Sequence, residues 1–124
     1  MQRAQIVKGW INEGKSHEQI FDVACSDNLV PDEKTHRCPD NDASVNLENC
    51  AADMDRGASE LSILWQDPAF VASQRAFYYA RVLENPTCRW STWDAIRAGV
   101  SPHPDIPKTI QERAWSTPIW YKPI

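Results

Sequence analysis

Glycine is scarce in this sequence, four residues in 124 against nine prolines, and no glycine-rich loop is present to cradle a phosphate. No run approaches the ~18 apolar residues of a membrane-spanning helix. Basic residues are not in excess either, 13 against 17 acids, which argues against a nucleic-acid surface. C-x-x-C is missing, and His17, His36 and His103 are scattered, so a tetrahedral Cys/His metal site would need ligands gathered from distant loops. A serine nucleophile elbow fails too: Gly57-Ala58-Ser59-Glu60-Leu61 lacks the closing glycine and precedes a strand-like run rather than a helix. Met1-Gln2-Arg3 enters a strand pattern without the charged-then-apolar layout of a signal peptide.

Aromatic residues are plentiful, with six Trp, three Tyr and three Phe. They crowd into Ala76-Phe77-Tyr78-Tyr79-Ala80-Arg81-Val82-Leu83-Glu84, where both alternating sets are largely apolar, so the run reads as a central strand covered on both faces. Arg81 within it needs a carboxylate or carbonyl partner, because stranding a buried charge costs several kcal/mol. Ala4 to Ile11 and His17 to Ala24 alternate as the two arms of a β-hairpin closed by Asn12-Glu13-Gly14-Lys15, with Gly14 free to take a positive φ. Glu60 to Gln66 alternates as a further strand, and Asp67-Pro68 turns the chain into the central one. Ser91 to Ala98 offers a short helix, capped by Ser91 and stopped by Gly99. Thr109 to Tyr121 is a last strand, interrupted near Pro118, which cannot donate to a ladder. The fold class that follows is mostly β: an antiparallel, sandwich-like sheet with one short helix, all in one domain over 1–124.

Residues 26–57 form a long acidic loop containing cysteine, and a structureless loop of that length is functional, disordered or stapled. Asp40-Asn41-Asp42-Ala43-Ser44 invites a calcium reading, but Val45 stands where an EF-hand loop needs glycine and Ala51 where it needs glutamate, which favours a solvated acidic loop, with a calcium site of another kind as the alternative. Cys25, Cys38, Cys50 and Cys88 form an even set that favours disulfides and an oxidising compartment. Three connectivities are open; Cys38–Cys50, closing a short loop, together with Cys25–Cys88, tying two strand ends, is the pairing the spacing favours.

Arg81, Arg89, Trp90, Asp94, Glu112, Arg113 and Trp115 mix flat aromatic faces with charged groups, and could bind a sugar or an anionic ligand; core packing with strand-end ion pairs is the plainer reading. No catalytic residue and no metal ligand is expected in this chain, and a cysteine nucleophile at Cys88 gives way to a disulfide.

Ala76-Phe77-Tyr78-Tyr79-Ala80-Arg81-Val82-Leu83-Glu84, with Ile6-Val7-Lys8-Gly9-Trp10, Arg89-Trp90-Ser91-Thr92 and Ile110-Gln111-Glu112-Arg113-Ala114-Trp115-Ser116-Thr117-Pro118-Ile119-Trp120-Tyr121, closely resembles the C-terminal end of the bacterial domain-of-unknown-function 3604 proteins. The resemblance implies a C-terminal accessory domain of a longer, exported protein whose N-terminal module is similar to the PHP class of metal-dependent phosphoesterases. That module would be this chain's partner and the holder of any divalent metal. The export signal would lie upstream, and the location would be periplasmic or extracellular, with no nucleic-acid or membrane partner. It further implies a strand before Arg3, and so an unpaired edge at the start of this chain. The alternative is a carbohydrate- or ligand-binding β-module using exposed Trp residues.

Overall fold

The computed structural model describes residues 1–124. Its strands are β1 (Arg3–Asn12), β2 (Lys15–Cys25), β3 (Ala76–Cys88), β4 (Thr109–Trp115) and β5 (Ile119–Tyr121), and a single helix α1 (Trp90–Ala98) lies between β3 and β4. The strands make one antiparallel sheet ordered β2-β1-β3-β4, with β5 also on β3. The expected class holds: mostly β, antiparallel, one short helix, two disulfides. A long loop, rather than a second sheet, supplies the other layer.

The hairpin closes on Glu13 and Gly14, both at positive φ (50° and 75°), the geometry whose twist matches the flanking strands. β1 lies between β2 and β3. The unpaired edge expected at Arg3 is therefore not there, and the sheet's edges are β2 on one side and β4 with β5 on the other. β3 is laterally interior, as its composition implied, but it continues past Glu84 to Cys88. Pro86 is accommodated because the register against β4 shifts between Leu83 and Pro86, a bulge where proline's missing N–H is harmless. β4 and β5 follow one another along β3, separated by Ser116–Pro118, the interruption expected at that proline.

Cys25 pairs with Arg3 at one end of the sheet and Ala76 with Trp10 at the other. Residues 26–75 must therefore travel the sheet's length, roughly 23 Å at strand rise. They do so in two stages. First the loop is pinned beside the Cys25 end: Asn41, buried, donates to Ser26, Asp27 and Asn85 and accepts from Gln2. Asp27 receives the N–H of Gly57, and these bonds hold its carboxyl below the usual range, Ser26 and Asn41 contributing most. Gly57 is required here, since its φ is +98° and a Cβ would lie 2.7 Å from the Asn85 amide. The chain then crosses one sheet face, packing Trp65 on Phe21 and Phe70 on Tyr121.

Residues 60–66 form no strand. Leu61 and Trp65 are half-buried but Ile63 between them is 59% exposed, so the alternation is only partly realised in a segment that has no ladder partner. The helix also starts otherwise than expected. Arg89 is its N-cap and no side chain caps it; Lys108 C=O instead accepts from Arg89 N–H and Thr92 Oγ1, so a tertiary tie sets the first turn. Gly99 ends it at φ 67° as anticipated.

The disulfides are Cys25–Cys38 and Cys50–Cys88, which corrects the pairing of Cys38 with Cys50 and Cys25 with Cys88. With β1 between their strands and Cys88 five residues past the level of Cys25, those two cysteines sit on the order of 20 Å apart, far beyond the ~7 Å reach of a bridge. Cys38 is instead delivered to Cys25 along the β2 edge, where Asp22 accepts the Cys38 N–H and His36 C=O accepts the Asp22 N–H.

Candidate functional site

The seven residues proposed from sequence divide into groups. Arg81 and Trp115 are direct partners across β3 and β4, and Arg113 lies opposite Leu83 on the same face. Glu112, just before Arg113, points to the other face by strand alternation. Arg89, Trp90 and Asp94 sit past the end of β3 at the helix, more than ~20 Å along from Arg81. There Trp90 is 73% exposed, Asp94 faces Arg97 at 3.8 Å, and Arg89 Nε is buried without a partner. Arg81 finds the carbonyl partner its position demands: Nε donates to Gln5 Oε1 at 2.7 Å, and Gln5 in turn donates to Asp22 at 2.6 Å. Arg3 completes a polar relay across three strands by donating to Asp22 at 2.9 Å.

Beside Arg81 the same face carries buried Gln5, Val7 and Leu83, and aromatic rings farther along. Phe77 and Tyr79 lie near-parallel on β3 with centroids 6.4 Å apart, and Trp120 tilts against Phe77 at 5.3 Å. Together with Trp115 they line one shallow surface. Trp115 and Trp120 are 60% and 67% exposed. The reading of residues 76–84 as sheltered on both faces is corrected here: Phe77 and Tyr79 are only half-buried on this side and lie against solvent-facing tryptophans. At the Trp10 end the face opens into a slot of about 620 Å³ between the hairpin tip and β5, floored by Phe77.

On the opposite face a buried ionic cluster fixes the crossing loop, and sequence reasoning missed it. Lys8, 2% exposed, pairs with Asp67 at 2.5 Å and donates to Ala69 C=O at 2.7 Å. Tyr78 Oη donates to Asp67 at 2.7 Å. Burial alone would raise the Asp67 carboxyl, but bonds from Lys8, Tyr78 and the Ala69 N–H outweigh it and hold the group below the usual carboxylate range. Burial, then Asp67, pushes the Tyr78 hydroxyl well above its ordinary value. The one available signal was a lysine amid an otherwise apolar strand face, Ile6/Lys8/Trp10. The cluster clamps loop to sheet. No group of His, Cys, Asp or Glu is disposed to hold a metal ion.

A family model described as a protein of unknown function, DUF3604, matches residues 1–123. The chain belongs to that family. No curated protein and no solved structure matches it. As a DUF3604 chain it carries both disulfides among the family-matched residues, which fits an oxidising compartment, and no helix is long and apolar enough to cross a membrane.

Proposed function

We propose that this chain is a non-catalytic accessory domain at the C-terminal end of an exported, PHP-like metal-dependent hydrolase, packing its aromatic face against the hydrolase module and helping to line that module's cleft. The observation that carries the reading is an excess of surface. The chain exposes 8843 Å², whereas a compact 14.1 kDa protein exposes about 6,700 Å². Part of the surplus is loop, as at Met54 and Leu64; a contiguous part is exposed Trp115 and Trp120, with half-buried Phe77 and Tyr79 on the same surface. A standard interface needs roughly 800 Å² from each partner. The compartment would be periplasmic or extracellular, and any divalent metal would sit in the partner module.

In the longer protein, Tyr79→Arg with Trp115→Arg should open the junction to protease and lower hydrolase stability while the disulfide-pinned fold persists. An unchanged digestion pattern overturns the reading. A second reading, a carbohydrate-binding module, draws on the exposure of Trp115 and Trp120. Sugar stacking favours rings in one plane, and Phe77 and Trp120 are inclined by 50°, which suits a docked side chain better. Retention on insoluble polysaccharide, lost in Trp115→Ala, would favour that second role.

A further inference from the structure

We infer that the slot between the β1–β2 hairpin tip and β5 binds a small, planar, aromatic anion. Its volume, about 620 Å³, falls within the roughly 300–1,000 Å³ of small-molecule sites. Its aromatic wall is Phe77 against Trp120, centroids 5.3 Å apart, on the face that also carries Ile11, Ser16 and Glu18 of the hairpin. Arg75 and Lys122 line the same slot, with Glu18 the single acid, so its charge balance is positive. A flat apolar body with one carboxylate or similar group satisfies both parts, since a charged acceptor gains stronger hydrogen bonds from these cations than a neutral one.

The floor is built at a local cost. Gly9 lies in the interior strand β1, where glycine weakens a ladder. A Cβ there would fall 2.3 Å from Phe77 Cζ and 2.4 Å from its Cε1. Without that Cβ the Phe77 ring lies down on the β1 backbone; with it, the ring would stand up into the slot. β3 begins only at Ala76, opposite Trp10, so Ile11 and Asn12 have no β3 neighbour and the slot stays open.

The slot borders the docking surface and shares Phe77 and Trp120 with it, while its cations Arg75 and Lys122 and its hairpin wall lie outside that surface. The test titrates the full chain with 2-naphthoate, 2-naphthalenemethanol and 2-naphthylmethylammonium, reading tryptophan fluorescence and amide chemical shifts. Naphthoate should bind about tenfold more tightly than the neutral alcohol, with shifts centred on Gly9, Trp10 and Phe77. Arg75→Ala with Lys122→Ala should bring it down to the alcohol's affinity, and Arg75→Glu with Lys122→Glu should reverse the preference toward the ammonium probe. These side chains are exposed, so the variants fold. Equal affinity for all three probes, shifts centred on Tyr79 and Trp115, or no binding up to the solubility limit overturns the assignment. Tyr79→Arg with Trp115→Arg should leave naphthoate binding intact, which separates failure of this site from failure of the docking surface.

Discussion

The two faces of the sheet are built by the same strands and, on β3, by the same kind of residue, yet they meet different surroundings. Tyr78 is covered and hydrogen-bonded to a buried carboxylate, while Phe77 and Tyr79, its neighbours on either side, share a surface with solvent-facing tryptophans. Side-chain type does not distinguish the faces; the path of residues 26–75 does. Where the loop crosses, a lysine can be buried because Asp67 and the Ala69 carbonyl come to meet it. On the other face Trp115 and Trp120 stay open to solvent.

The comparison is broken most severely by releasing the covered face. Loop closure by Cys50–Cys88, 38 residues apart, is worth about 4 kcal/mol, and Cys25–Cys38, 13 apart, about 3 kcal/mol. Reduction should therefore lower the denaturation midpoint strongly and let protease cut first within 26–75; a reduced protein as stable as the oxidised one would mean the staples are ornamental. Next comes Asp67→Asn, which strands the Lys8 ammonium and should cost about 3–5 kcal/mol by chemical denaturation. Adding Lys8→Met should recover most of that loss. If the double variant is no better than the single, charge pairing is not what holds the loop.

The same cluster gives a pH window. Asp67 has a depressed carboxyl, so its contribution is present above the unfolded value of about 4 and is lost as pH falls through the lower folded one. Tyr78 is raised, so the folded state holds a proton that the unfolded chain gives up above about pH 10, and stability falls again there. Asp67→Asn with Lys8→Met should flatten the acid limb measured by thermal unfolding across pH.

Smaller effects sharpen the contrast from the other side. Gly9→Ala forces the Phe77 ring off the strand and should cost about 1 kcal/mol, together with a change in near-ultraviolet dichroism from the displaced ring. Smallest of all, Trp115→Ser, at a side chain 60% exposed, should move stability by less than about 0.5 kcal/mol, the ordinary range for surface changes. A loss of several kcal/mol in denaturant would mean that Trp115 is core.

Much of the fold was legible because it is local. The Asn12-Glu13-Gly14-Lys15 turn marked the hairpin, the aromatic run marked β3, Gly99 marked the helix end and Pro118 the break between β4 and β5. The polar–aromatic set was less so: Arg81, Arg113 and Trp115 share a face, while Arg89, Trp90 and Asp94 lie beyond the strand's end, since nearness along the chain says little about nearness across a sheet. Glu60 to Gln66 had the period of a strand without an edge to join.

What the sequence by itself determined is therefore the set of strands, their turns and the oxidised character of the four cysteines, because periodicity, positive-φ positions and cysteine number are properties of short stretches. Tertiary structure decided which cysteines meet, which face the loop crosses, and that Lys8 is buried with Asp67 and Tyr78. Each of those depends on where a fifty-residue loop returns over the sheet, and contacts between residues so far apart in the chain leave no local pattern to read.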